Sequence, residues 1–224
     1  LNHDFLIKDK YAGIKSGWNK VGKAEVLYLQ DNEFNKKTFS KIIDTEKPDL
    51  IYSSSIFLAK LTIPLLFITR IKKIPMLLAP RGELSSDRIK SKWWKKKPYL
   101  FFLRTTGLLK GIKLQATSEA ECQDILRQLN VNRNNVFLVE NIPCSLKHKA
   151  KLDKDSGSLK IVATSRIQQK NNQLYSIKIV NQMKSKVQFD LYGPKEDPEY
   201  WKVCEAEIKK APSNITYNYK GVNR

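Results

Sequence analysis

Acidic side chains, phosphate-cradling glycine motifs, metal ligands and long apolar runs are all scarce in this 224-residue chain. Asp and Glu number 22 against 41 Lys and Arg, a formal net charge of +19. So large an excess of one sign favours a polyanionic partner: nucleic acid, an anionic membrane surface or phosphorylated small molecules. The nine glycines form neither GxGxxG nor GxxxxGK followed by Ser or Thr, which disfavours dinucleotide and P-loop sites. Cys122, Cys144 and Cys204 are widely spaced, no CxxC occurs, and His3 and His148 are the histidines, so no metal site is expected. Free thiols in a reducing cytosol are the simple reading. The longest apolar run, 56–71, is broken by Lys60, Pro64 and Arg70 and is too short to span a bilayer. Leu1 leads into polar sequence, so no signal peptide is expected, and the missing initiator Met suggests that residue 1 is not the natural start. There is no low-complexity tract and no internal repeat.

What is present is a 41% hydrophobic chain able to bury a core. Short apolar runs at 26–29, 50–52, 76–79, 114–117 and 136–139 read as strands, with helices predicted over 35–46, 56–72 and 119–129. Pro64 either kinks its helix or sits in its first turn. The alternation predicts an α/β fold with a parallel, helix-covered sheet. Composition turns polar and aperiodic between 145 and 158, the best linker. The expected domains are therefore 1–146 and 159–224, joined by 147–158. In the second, strands are predicted at 159–163, 187–192 and 215–219, with helices over 173–183 and 200–210. Three strands are few for a sheet, and the second domain is expected to be truncated.

The residues able to carry chemistry sit where strands end. In Ala79-Pro80-Arg81-Gly82-Glu83-Leu84-Ser85, Gly82 permits a tight turn and Arg81 can grip a carboxylate or phosphate. A plain strand–helix connection explains the loop equally well. Ser118 and Glu121 form a capping box, and Glu119 suits the helix dipole, so structure alone accounts for that segment. After 159–163, Arg166 and Lys170 could receive an anion beside a helix N-terminus, or be ordinary exposed cations. Gly193, in Leu191-Tyr192-Gly193-Pro194, could bring backbone close to a ligand, while Pro194 could simply start the next helix. Arg88, Lys90, Lys92, Lys95, Lys96 and Lys97 interleave with Trp93, Trp94, Tyr99, Phe101 and Phe102. That segment can stack on nucleic-acid bases, lie on an anionic membrane, or be a helix with solvated lysines. The paired Trp favours the membrane, and nucleic acid is disfavoured.

Together these motifs, with Pro48-Asp49-Leu50-Ile51-Tyr52, Glu140-Asn141-Ile142-Pro143, Ser165-Arg166-Ile167 and residues 215–222, resemble the retaining glycosyltransferases of family 4. The cell-surface polysaccharide branch, with its Pro-Arg-Gly loop, is the nearest in pattern. The resemblance implies a GT-B-like fold of two Rossmann-like parallel-sheet domains. It implies a metal-independent, retaining transfer from a nucleotide-sugar, a UDP- or GDP-sugar, to a glycan or lipid-linked acceptor, with no further cofactor. Arg166 matches the arginine that neutralises the donor diphosphate. The family's lysine falls at Asn171, so Lys170 is expected to substitute, with Gly193 and Asn171 beside the donor. Arg81, Gly82, Glu83, Ser118, Glu119 and Asn141 are expected on the acceptor side. Arg88, Lys92, Trp93, Trp94, Lys95, Lys96 and Lys97 are expected to touch the inner membrane face, making the protein cytoplasmic and peripheral. Arg81 stands where many relatives carry His, and the Glu-x7-Glu pair is expected beyond Arg224. The chain is thus expected to be an internal, inactive portion of a longer enzyme. The competing expectation is a non-catalytic basic module that binds nucleic acid or anionic lipid.

Overall fold

The computed structural model describes residues 13–15, 17–142 and 156–222. The chain divides into two units, Leu1–Cys144 and Ser145–Arg224. Most of the predicted linker, with Cys144, His3 and His148, lies outside the described residues.

The first unit opens with an antiparallel hairpin, β1 (Trp18–Val21) and β2 (Ala24–Leu27). Here the sequence expectation needs correcting, because the run at 26–29 was assigned to the parallel sheet. Gly22, with φ +60°, supplies the first position of a two-residue loop, and that turn diverts the strand into a hairpin. Helix α1 (Lys36–Glu46) follows, its first turn capped by Asn35, whose Oδ1 accepts from the Thr38 amide at 3.0 Å.

The main sheet has four parallel strands in the order β3 (Ile51–Ser54), β4 (Met76–Ala79), β5 (Lys113–Ala116), β6 (Val136–Leu138). The connections are α2 (Ala59–Lys72), then α3 (Ser86–Lys90) with α4 (Trp93–Thr105), then α5 (Glu119–Leu129). Parallel crossovers keep one hand, so a sheet with its strands in chain order carries these helices on one face. Burial agrees: Ile51, Met76, Leu78, Leu114 and Ala116 pack with Leu66, Leu103 and Ile125, while Tyr52 and Phe137 point the other way and stay exposed. Pro64 lies inside α2, so the first-turn alternative does not hold.

The second unit repeats the rhythm with β7 (Ser158–Thr164), α6 (Gln173–Val180), β8 (Lys186–Tyr192), α7 (Pro198–Ile208) and β9 (Ile215–Gly221). The three strands are parallel, in the order β7-β8-β9. Val187, Phe189 and Leu191 alternate into the core with Ile177 and Trp201. Their neighbour Asp190 lies on the opposite face, where its carboxylate accepts from Asn218 at 2.7 Å. Pro198, rather than Pro194, begins α7, where its missing N–H costs the helix nothing.

Candidate functional site

Parallel strands bring all their carboxyl ends to one edge, and ligands of such sheets bind there. In the second unit that edge holds an open cavity of about 410 Å³ lined by Thr164, Ser165, Arg166, Tyr192, Gly193 and Pro194, with Val222. The loops after β7 and β8 are zipped together. Ser165 donates its amide to Tyr192 O at 3.0 Å, and Ile167 donates to Pro194 O at 2.8 Å. Gly193, at φ +138°, makes this possible, because a Cβ there would stand 2.0 Å from the Ser165 carbonyl oxygen. The close approach that Gly193 permits is thus first of all to Ser165, while the residue also lines the cavity.

Arg166 is 55% exposed along its side chain and donates one N–H to Glu196 Oε1 at 3.0 Å. Its backbone carbonyl accepts from Asn171 Nδ2 at 2.6 Å and from Gln173 Nε2 at 2.8 Å. Asn171, expected beside the donor, thus pins the loop through its amide nitrogen. Lys170 is exposed on the 3-10 turn Gln169–Asn171. Sequence reasoning missed Lys195, whose Nζ lies 4.3 Å from the ring centroids of both Trp201 and Tyr219. It also missed Glu196; an acidic side chain two residues past Pro194 carried no motif to signal it.

At the edge of the first sheet, Arg81 adopts φ +55° and Gly82 φ +72°. Such a backbone is costly for arginine, and side-chain bonds hold it. Arg81 donates to Asn141 Oδ1 and, at 2.7 Å, to Tyr52 Oη. Tyr52 in turn donates its O–H to Gln115 Oε1 at 3.0 Å. So Arg81 and Asn141, predicted on one wall, do meet, through a tyrosine that the sequence did not flag.

Glu83 and Glu121 hold the loops together. Glu83 accepts from Ser55 Oγ at 2.8 Å and from the Ile56 and Phe57 amides at 2.7 and 3.2 Å. The carboxylate of Glu83, expected on the acceptor side, thus satisfies the backbone ahead of α2 and acts as a structural staple. The predicted capping box forms only by half. Ser118 Oγ accepts from the Glu121 amide at 3.2 Å, but the Glu121 carboxylate reaches Thr117 and, across the edge, the Gly82 amide at 2.6 Å. Burial pushes the Glu121 carboxyl up, but bonds from Thr117 and Gly82 and the nearby Arg81 outweigh it and leave the pKa below the usual glutamate value. Glu119 is exposed and accepts from Gln123 at 3.0 Å.

The basic segment splits into α3 and α4 at Lys92, which adopts φ +57°. Lys96 turns inward, bonding the Arg88 carbonyl and lying 5.1 Å over the Phe57 ring, and is the least exposed of the expected membrane-contact residues. Burial lowers its pKa. Arg88, Lys92, Trp93, Trp94, Lys95 and Lys97 remain exposed. Among the described residues no helix is long and apolar enough to cross a membrane, and no group of acidic, His and Cys side chains could hold a metal ion.

The two parallel α/β units are of the GT-B type of fold, which their likeness to solved structures shows. HepE from Anabaena, solved in complex with UDP-glucose, is similar with a TM-score of 0.57 and 14% identity over 84% of this chain and 52% of its own. A TarM mutant from S. aureus, solved with fondaparinux, alpha-GlcNAc-glycerol and UDP, is similar with a TM-score of 0.56 and 15% identity over 92% of this chain and 40% of its own. At such identities the likeness establishes the fold. The chain spans about half the length of these structures or less. No protein-family profile and no curated protein matches it.

Proposed function

We propose that the chain belongs to a glycosyltransferase that moves a sugar from a UDP- or GDP-sugar to a glycan or lipid-linked acceptor in surface polysaccharide synthesis. The observation that carries this reading is the cavity at the β7–β8 edge, with the Arg166 guanidinium beside it. Breaking a sugar–phosphate bond loads charge onto the departing diphosphate, and a cation already in place stabilises it. Arg166 supplies that cation, and Lys170 adds a second from the adjoining turn. The Arg81, Tyr52 and Asn141 network, with Gly82 and Ser118, forms the acceptor side. Retention of configuration and independence from metal rest on the resemblance to family 4.

Isothermal titration of the chain with UDP, UDP-sugars and GDP-sugars tests the reading. Saturable binding to one nucleotide class is expected, weakened by Arg166→Ala roughly tenfold or more, as loss of a charge-assisted contact implies. No binding to any of them, or binding indifferent to that substitution, overturns it. A catalytically silent basic module is the second reading. It is favoured by Asn171, whose amide is tied to the Arg166 carbonyl where a second cation is expected.

A further inference from the structure

We propose that the outward face of α4 is a docking surface for an anionic lipid bilayer. The inference stands apart from the transfer reading, because it uses none of the residues to which that reading gives a donor or acceptor role. Leu100 and Leu103 are buried and Tyr99 packs inward, its hydroxyl donating to Ile56 O at 2.8 Å. The opposite row is Trp94, Pro98, Phe101 and Thr105, at positions i, i+4, i+7 and i+11 of the helix. Trp94 is 60% exposed and Phe101 65%, with Trp93 at 56% beside them. A helix that already buries one apolar face and shows a second, aromatic one has a partner still to meet.

Charge says which partner. From residue 88 to residue 118 there are nine Lys and Arg and no Asp or Glu. An ordinary solvent-facing helix offsets its lysines with acidic neighbours a turn away, and α4 has none. Lys95, Lys96 and Lys97 also stand at the amino end of α4, where the helix dipole is positive and cations are unfavourable. That local conflict is relieved by an anionic surface laid against the helix. Lys95 and Lys97 flank the aromatic row, with Nζ 4.7 Å from the Trp94 ring centroid and 5.4 Å from that of Trp93. Aromatic rings at headgroup depth with lysines reaching the phosphates are what an in-plane interfacial helix presents. The same geometry disfavours nucleic acid, since the lysine ammonium groups sit over ring faces on which bases would stack.

The test is co-sedimentation of the chain with phosphatidylcholine vesicles, with and without phosphatidylglycerol. Binding is expected to the anionic vesicles alone and to fall as salt rises. The pair Lys95→Ala and Lys97→Ala is expected to weaken it roughly 30-fold, at about a factor of five for each surface lysine. The pair Trp94→Ala and Phe101→Ala is expected to weaken it about tenfold or more. The pair Lys37→Ala and Lys41→Ala removes equal charge from exposed positions on α1 and is expected to change binding less than about twofold if the α4 face is specific. All four substituted side chains on α4 are exposed, so unchanged circular dichroism is expected and confirms that folding is intact. Equal binding to neutral vesicles, equal effects of the two lysine pairs, or tight RNA binding without vesicle binding would overturn the proposal.

Discussion

Replacing Glu121 by Gln removes the carboxylate that joins two loops at the edge of the first sheet. Its oxygens accept from the Gly82 amide at 2.6 Å, the Thr117 amide at 2.8 Å and the Thr117 hydroxyl at 2.6 Å. The residue is only 6% exposed, so water cannot replace what is lost. Glutamine keeps one acceptor but turns an NH2 donor towards a backbone N–H, leaving at least one amide unpaired. Bonds to a charged acceptor contribute about 1.5–3 kcal/mol each and do not add fully, so a loss of about 2–4 kcal/mol is expected. That is a large share of the ~5–15 kcal/mol typical of a whole domain. The pH dependence has a definite sign. A carboxyl held below its unfolded pKa contributes stability that is present above the unfolded value and is lost as pH falls through the folded one. The difference between wild type and variant should therefore narrow as pH drops through the carboxylate range. Urea titration at neutral and acidic pH, with hydrogen exchange at the Gly82 and Thr117 amides, reads both effects. Unchanged stability with unchanged exchange at those amides would refute this account of the loops.

Three further substitutions probe separate parts of the structure. Gly193→Ala forces a Cβ to within 2.0 Å of the Ser165 carbonyl oxygen at a φ that alanine resists, and should cost the second unit about 3 kcal/mol or more in a thermal melt. Burial, helped by the charge of Glu83, pushes the Tyr99 phenol up to about 12, so the stability it contributes is present below about 10 and is lost as pH rises through 12. Tyr99→Phe should cost about 1 kcal/mol at neutral pH, through its bond to Ile56 O, and should flatten the alkaline loss seen in urea titrations. Asn171→Lys gives up the 2.6 Å bond to the Arg166 carbonyl but adds a cation beside the cavity, and should raise UDP affinity about tenfold while lowering the melting temperature.

Local signals in the sequence carried most of the fold. The strand at 76–79, the helix at 119–129 and the Ser118 cap follow from periodicity and from side chains three or four residues apart, and the structure has them there. What depended on distant contacts was not legible. Glu121 looked like an ordinary capping residue because its partner, Gly82, lies 39 positions away. Glu83 looked like a cleft residue because the amides of Ile56 and Phe57, which it serves, are 27 and 26 positions off. The hairpin was hidden for a different reason: an apolar run of four reads alike in a parallel strand and in the second arm of a hairpin, and only the Gly22 turn decides. In the candidate donor site, Gly193 was legible as a turn. Its partner across the loops, Ser165, and the pairing of Arg166 with Glu196 came only from the structure.

The central claim is that a nucleotide diphosphate binds at the carboxyl edge of β7 and β8. Backbone amide shifts of the isotopically labelled chain, recorded as UDP is added, test it most directly. The account predicts saturable shifts concentrated at Ser165, Arg166 and Gly193, and their loss in Arg166→Ala. Shifts confined to α3 and α4, or none at any concentration, would contradict it.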